Sequence, residues 1–161
     1  MKNRLIASIL GRKARARSAV LAVVVGAAVF AFPTASRADD TYLDECSRAN
    51  IACQTGTRVD EPSARDRDRC EREPYHQTKV CIKIDGNIVY VLDGASDGNS
   101  ALGIVETPYA GSISLRHCRN PYSAGTWARC NFDWVERTEH WVHGGARITN
   151  AEYEYETLWK F

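Results

Sequence analysis

The sequence lacks an apolar run long enough to cross a bilayer. Its longest run, from Ala19 to Phe32, has 14 residues, whereas a membrane-spanning helix needs about 20. Six Lys and Arg residues precede the run, and the small-residue ending Ser36-Arg37-Ala38 follows it. This pattern is typical of a secretory signal peptide. We therefore predict that residues 1–38 are a signal peptide, that the mature chain is secreted and extracellular, and that no membrane span remains after cleavage.

This leader, residues 1–38, contains no acidic side chains. The net charge of the whole chain therefore differs from that of the remaining residues. The leader holds 7 of the 21 Lys and Arg residues and none of the 20 Asp and Glu residues, so the other 123 residues carry a net charge of −6. A protein that binds nucleic acid through phosphates needs a basic surface. We therefore predict no nucleic-acid partner. A chain of this length suffices for one domain with a hydrophobic core.

Two common metal-site motifs are also absent. The sequence has no C-x-x-C pair and no H-E-x-x-H, the spacings typical of structural and catalytic zinc. The segment Glu139-His140-Trp141-Val142-His143 does contain H-x-x-H. Its surroundings are typical of a strand and turn, where residues three apart point to opposite faces. We therefore predict neither a metal site nor a cofactor.

The sequence is rich in cysteine, with six residues, and every cysteine follows the leader. An even number in an exported chain predicts a disulfide framework. Six cysteines allow 15 pairings, and the sequence does not choose among them. The six residues are Cys46, Cys53, Cys70, Cys81, Cys118 and Cys130.

The position of Cys118 and Cys130 on either side of a turn favours pairing between them. Strict alternation, however, places Cys130 with the apolar face of its strand and Cys118 with Ser112, Ser114 and Arg116. Either a bulge shifts the register or these cysteines pair elsewhere.

The chain changes character near Thr78. Residues 39–78 form a cysteine-rich, charged and irregular arm, in which a short helix beginning at Thr41 and Asp44 would place Cys46 and Cys53 on one face. Residues 62–74 are predicted to be a solvated loop or an exposed helical turn. From residue 79 the pattern becomes β, with strands predicted at 79–84, 88–92, 101–106, 112–118, 126–134 and 153–161.

The last of these strands has the clearest alternation. Tyr153, Tyr155 and Trp159 face one way, and Glu154 and Glu156 face the other. This pattern predicts an aromatic face against the sheet and an acidic face in water. The fold expected for residues 39–161 is one mainly β domain, a small disulfide-crosslinked β-sandwich or open barrel, with the β-rich core in residues 79–161.

One segment resembles a known family. The matching positions are Leu115, Arg116, Cys118, Trp127, Ala128 and Arg129. The pattern Leu-Arg-x-Cys followed by Trp-Ala-Arg is similar to that of the YjfA-like family of small secreted bacterial proteins of unknown function, although His117 stands where that family usually has Tyr. The resemblance implies a small β-rich secreted domain and carries over no activity.

The same segment contains the first candidate binding residues. We expect Arg116 and Arg129 to project from neighbouring strands, with Trp127 on the face of Arg129. This arrangement is either a structural Arg–Trp ladder on one face of a hairpin or a platform for sugars or acidic groups. Trp141 is a further candidate binding residue.

We expect a non-catalytic binding module of the extracellular space or cell envelope, with a cell-wall glycan or another secreted protein as partner. One alternative is a small secreted hydrolase using His/Glu acid–base chemistry, with Glu139, His140 and His143 as candidate catalytic residues. Another alternative is a secreted enzyme inhibitor that uses the 93–99 or the 107–111 turn.

Overall fold

Ten β-strands make up most of the described chain. The structure, a computed structural model, describes residues 41–109, 111–136 and 138–161, so the predicted signal peptide lies outside the described residues. A four-residue 3-10 helix, Asp44–Ser47, precedes the first strand. The strands are β1 (Ile51–Thr55), β2 (Thr57–Val59), β3 (Arg69–Arg72), β4 (Lys79–Lys83), β5 (Ile88–Leu92), β6 (Ser100–Tyr109), β7 (Ser112–Asn120), β8 (Trp127–Asn131), β9 (Trp141–Arg147) and β10 (Tyr153–Lys160).

The strands form two five-stranded sheets. Sheet A has the order β1-β7-β6-β9-β10, and sheet B has the order β2-β8-β5-β4-β3. β1 pairs with β7 in parallel, and the other pairs of neighbouring strands are antiparallel. The predicted mainly β, disulfide-crosslinked architecture is confirmed.

The hydrophobic core lies between the sheets. Val80 of β4 and Val91 of β5 are fully buried against Val105 of β6 and Val142 of β9. Burying such a side chain stabilises the fold by about 1.5–3 kcal/mol. At Gly103 an added Cβ atom would lie 2.7 Å from Cγ2 of Val91, so this position must be glycine for β6 to approach sheet B so closely.

All six cysteines form disulfides, each with the next cysteine in the chain. The bonds are Cys46–Cys53, Cys70–Cys81 and Cys118–Cys130. The last bond joins β7 of sheet A to β8 of sheet B, and both of its sulfur-bearing residues lie in the core. The pairing of Cys118 with Cys130 is therefore confirmed, whereas both explanations offered for its conflict with strict alternation, a bulge or other partners, are wrong. The strands form no hairpin, so Cys118 meets Cys130 across the sandwich with no bulge and no other partner.

The N-terminal arm is more regular than predicted. The expected helix through Cys53 is wrong, because the 3-10 helix ends at Ser47 and Cys53 lies in β1. The residue before that helix, Leu43, supplies no side-chain cap. The helix therefore lacks the hydrogen bond between its first-turn N–H groups and an N-cap side chain, a bond that stabilises helices. Segments of the arm become β1, β2 and β3, and each of these strands lies at the edge of a sheet.

The alternation in β10 only partly predicts burial. Trp159 is buried, whereas Tyr155 is 48% exposed. The pairing register with β9 shifts between Thr157 and Trp159, and this irregularity lets Leu158 and Trp159 both pack against the core. The first half of β10 therefore keeps its aromatic side chains near the surface.

Candidate functional site

A concave surface that combines aromatic and charged groups lies beside the first half of β10. It is a cleft of about 490 Å³, within the size range of small-ligand sites. One wall is β10, and the other is the turn between β3 and β4. We call it the edge cleft, and its lining residues are Glu73, Tyr75, His76, Tyr153, Glu154, Tyr155 and Glu156.

Tyrosines supply the aromatic surface of the edge cleft. Tyr75 is 74% exposed and Tyr155 is 48% exposed. The ring of Tyr155 stacks on that of Tyr153 with centroids 5.6 Å apart. Tyrosine offers a rigid apolar ring with a polar end, which suits it to recognition surfaces. These exposed rings are therefore available for contact with a ligand.

The turn that forms the opposite wall is held by a buried carboxylate. Glu73 is only 1% exposed. Its Oε2 accepts a hydrogen bond from the Tyr75 N–H at 2.7 Å, and its Oε1 accepts one from the Thr78 N–H at 3.1 Å. Thr78 in turn donates its hydroxyl to the Gly145 carbonyl at 2.8 Å. These bonds fix the turn against sheet A, so the cleft is preformed.

His76 joins three separate segments at the cleft. Its Nδ1 lies 3.0 Å from Oδ2 of Asp97, and its Nε2 lies 3.3 Å from Oε2 of Glu154. Burial lowers the pKa of His76, but the two carboxylates outweigh burial and the pKa is raised above its ordinary value. Burial raises the pKa of Asp97, but the hydrogen bonds from His76 and Asn99 together outweigh burial and the pKa is lowered. A protonated His76 therefore crosslinks the β3–β4 turn, the β5–β6 loop and β10.

A second cluster of ionisable groups lies on the outer face of sheet A. His117 of β7 and His143 of β9 both pair with Ile104 of β6, so they flank it on one face of the sheet. Nε2 of His117 lies 3.1 Å from Oε1 of Glu45, and Nε2 of His143 lies 3.2 Å from Oε2 of Glu106.

These two pairs are buried close contacts between an imidazole and a carboxylate rather than well-aligned hydrogen bonds. The His117 and His143 side chains are 0% and 3% exposed, and neither Nε2 atom has a hydrogen-bond partner with good geometry. Burial lowers the pKa of His143, and Glu106 opposes this shift only in part. A His–carboxylate pair can serve as a general base, but in this structure neither imidazole reaches a substrate-accessible surface.

The structure separates the two histidines of the H-x-x-H segment. His140 packs inward between Trp134 and Phe161. Its Nε2 donates to the Val135 carbonyl at 3.0 Å, so its Nδ1 accepts the Thr107 hydroxyl at 2.8 Å. His143 faces outward, as alternation in a strand requires. His140 therefore has both ring nitrogens bonded within the fold.

Glu139 and Trp141 form a surface group next to these histidines. The Trp141 indole N–H donates to Oε1 of Glu139 at 2.9 Å. Nζ of Lys160 lies 3.1 Å from the same oxygen and 4.2 Å from the Trp141 ring centroid. Trp141 is partly exposed, and the ammonium group of Lys160 already contacts its ring.

The expected pairing of Arg116 with Trp127 and Arg129 on one hairpin is wrong. Arg116 lies on β7 of sheet A, whereas the other two lie on β8 of sheet B. The Nε of Arg116 donates to the Asp133 carbonyl at 2.9 Å. Trp127 is only 6% exposed, and Nζ of Lys79 lies 5.6 Å from its ring centroid.

Residues 94–98, Gly-Ala-Ser-Asp-Gly, match the letters of the G-x-S-x-G hydrolase pattern. That pattern is meaningful when the serine lies on a sharp turn between a strand and a helix. Here the segment lies in the loop between β5 and β6, two strands of different sheets. Asp97 of this segment instead binds His76. The local structure is therefore not a nucleophile elbow.

Sequence reasoning missed the edge cleft as a unit. The alternation of Tyr and Glu in 153–156 is visible in the sequence, but Tyr75 falls in the arm of residues 39–78, which is predicted only to be irregular. The contact between His76 and Glu154 joins residues 78 positions apart, which no local pattern indicates. The alternation of Tyr and Glu in β10 is the one feature of the sequence that pointed to this part of the cleft.

Within residues 41–109, 111–136 and 138–161, no three His, Cys, Asp or Glu side chains are grouped to hold a metal ion. In the same part of the chain, no helix has the length and apolar character needed to cross a membrane. Comparison of the sequence with family models, curated proteins and solved structures gives no match. The resemblance to the YjfA-like family stays a prediction.

Proposed function

We propose that this protein is a secreted extracellular binding module that takes its ligand in the edge cleft. The observation that carries the proposal is the exposure of Tyr75 and Tyr155 on the walls of a preformed cleft. Ligand sites combine an apolar or aromatic lining with a few placed polar groups, and here carboxylates from β10 and the facing turn supply those groups. Three disulfides among six cysteines fit an extracellular location.

Burial distinguishes this proposal from the hydrolase alternative. The groups suited to acid–base chemistry, His117 and His143, lie under the outer face of sheet A. His140 is committed to structural hydrogen bonds. Tyr75 and Tyr155 of the edge cleft, by contrast, are exposed to solvent. The exposed aromatic surface therefore supports binding better than the buried histidines support catalysis.

The proposal is tested with alanine variants of the exposed tyrosines. The double variant Tyr75→Ala/Tyr155→Ala is expected to weaken binding at least tenfold against a panel of cell-wall glycan fragments and extended basic peptides, measured by calorimetry. Trp141→Ala is the matched control, because it removes a partly exposed aromatic ring that does not line the cleft. The proposal would be contradicted if the tyrosine double variant bound as well as the wild type. It would also be contradicted if Trp141→Ala lost binding and the tyrosine double variant did not.

A further inference from the structure

The edge cleft borders an open strand edge. β10 is the last strand of sheet A, and it pairs with β9 on one side alone among the described residues. Such an edge presents backbone N–H and C=O groups to an added strand. The register with β9 is regular from Tyr153 to Thr157 and shifts after that. About five residues of β10 are therefore suited to pairing.

The two faces of this segment differ in chemistry. Glu154 pairs with Ala146 and Glu156 with Gly144, and a Cβ atom added at Gly144 would lie 3.4 Å from Val80 of sheet B. The two glutamates therefore project on the side that faces sheet B, where they line the cleft. The rings of Tyr153 and Tyr155 project from the opposite face of β10, so these residues border the cleft at the edge of the strand and not from its sheet-B side. Residues two apart in a strand are separated by about 6.8 Å.

The negative charge of the cleft exceeds its positive charge. Glu73, Glu154 and Glu156 line it together with one histidine, and Asp97 also contacts that histidine. No Lys or Arg among the described residues lies within ion-pair distance of the three glutamates. Glu156 is exposed and has no ion-pair partner within those residues. The cleft is therefore complementary to a cationic ligand.

We propose that the edge cleft receives an extended peptide segment of a partner protein, which adds to β10 as a further strand and places Lys or Arg at alternate positions opposite Glu154 and Glu156. The inference rests on the proposed function and names the class of its ligand. Main-chain hydrogen bonds to β10 provide affinity, and alternate side chains provide specificity. The other face of the added strand carries apolar residues that pack against Tyr153 and Tyr155.

A second copy of this chain fits the edge less well. Pairing β10 with itself would bring the carboxylates of Glu154 and Glu156 close to those of the other copy. Like charges at neighbouring cross-strand positions are destabilising. A heterologous basic strand removes this repulsion and neutralises the cleft, which is why the charge pattern favours a different partner.

The test uses the peptide acetyl-Thr-Lys-Val-Lys-Val-Lys-Thr-amide and three analogues. The first analogue has Gln at the Lys positions, the second has the same composition with the lysines adjacent, and the third carries N-methyl groups on the amides of one strand edge. With calorimetry at low salt, we expect each analogue to bind at least tenfold more weakly than the parent. N-methylation blocks strand addition without removing charge, so equal affinity of the third analogue and the parent would overturn the proposal.

The protein side of the test uses Glu154→Gln/Glu156→Gln. This double variant is expected to lose at least tenfold in affinity for the parent peptide, while its melting temperature falls by no more than the drop of about 2 °C expected for loss of the His76 contacts. Glu139→Gln, a change of the same kind at an exposed carboxylate outside the cleft, is expected to bind normally. Equal loss in both variants, or no loss in the double variant, would overturn the proposal.

A glycan arm separates failure of this inference from failure of the proposed function. Chitosan oligomers carry amines on a sugar chain, and chitin oligomers carry the acetylated, neutral form. Binding of either glycan that needs Tyr75 and Tyr155, with no binding of the parent peptide, would overturn the peptide inference and sustain the proposed function. No binding of any probe would count against both.

Discussion

Cys118 of β7 and Cys130 of β8 face each other across the two sheets, with their Cα atoms 5.8 Å apart. Both side chains are buried in the core. Their disulfide therefore connects the layers of the sandwich, whereas Cys70–Cys81 connects two neighbouring strands of sheet B. Two crosslinks of nearly equal loop length thus occupy very different surroundings.

Removing each of these disulfides should separate the effect of the closed loop from the effect of the core. The sequence separations are 12 for Cys118–Cys130 and 11 for Cys70–Cys81, so the unfolded chain gains nearly the same freedom in both cases. Each double Ala variant is expected to lose about 3 kcal/mol of unfolding free energy from this source. Cys118→Ala/Cys130→Ala should lose at least about 1 kcal/mol more, because both of its side chains are buried between the sheets, whereas only Cys81 of the other pair is fully buried. Urea denaturation measures both, and an equal or smaller loss for this variant would contradict the prediction.

His140 should prove to be a structural residue. His140→Ala removes a buried ring between two aromatic side chains and leaves Thr107 and Val135 without their bonds. We expect a loss of about 2–4 kcal/mol in unfolding free energy, measured with urea. Glu139→Ala, in the same segment, should keep the wild-type unfolding midpoint. A stable His140→Ala protein would instead show that the surrounding shell repacks.

His143 should titrate below its ordinary range. Burial lowers its pKa and Glu106 partly raises it, so Glu106→Gln should lower the pKa of His143 further. NMR titration of the imidazole Cε1–H signal gives this value directly. Because the folded pKa is below the unfolded one, the neutral ring stabilises the fold above about pH 6.5, and this contribution is lost as the pH falls toward the folded pKa. An unchanged pKa of His143 in Glu106→Gln would show that the Glu106 carboxylate does not influence this imidazole.

His76 should give the opposite pH dependence. Its folded pKa is raised by Asp97 and Glu154, with Glu73 adding to the effect, so its contribution is complete below the ordinary value of 6.5 and is lost as the pH rises through the folded pKa. The contribution also needs an ionised Asp97 and is lost in strong acid. Comparison of wild type with His76→Gln by thermal unfolding should show a difference of about 2 °C at pH 5.5 that disappears at pH 9. A difference that grows with pH would contradict the assigned contacts.

The two candidate tryptophans should behave differently when removed. Trp127 is 6% exposed in the cluster with Cys81 and Tyr90, so Trp127→Ala should lose about 3–5 kcal/mol of unfolding free energy. Trp141 is partly exposed beside Lys160, and Trp141→Ala should lose less than about 1.5 kcal/mol. Urea titrations of both variants provide the comparison. Similar losses would show that Trp141 contributes more packing than its exposure indicates.

Local patterns in the sequence were sufficient for most individual strands. Alternation of apolar residues predicted β5 at 88–92, which the structure confirms at both ends, and located β4, β6, β7, β8 and β10. The turn before β5 was also readable, since Gly86 and Asn87 adopt positive φ angles of 106° and 56°, which these two residue types accept readily. Each of these features depends on neighbours within a few positions along the chain.

The assignment of strands to sheets was decided only by the tertiary structure. Alternation assigns Cys118 to one face of β7. It does not tell whether the next strand lies beside β7 in the same sheet or across the core in the other sheet. The edge cleft has the same origin, because His76 and Glu154 meet only when the β3–β4 turn packs against β10. Side-chain periodicity is a property of one strand, whereas the pairing of strands and the stacking of sheets depend on burial of apolar surface throughout the domain.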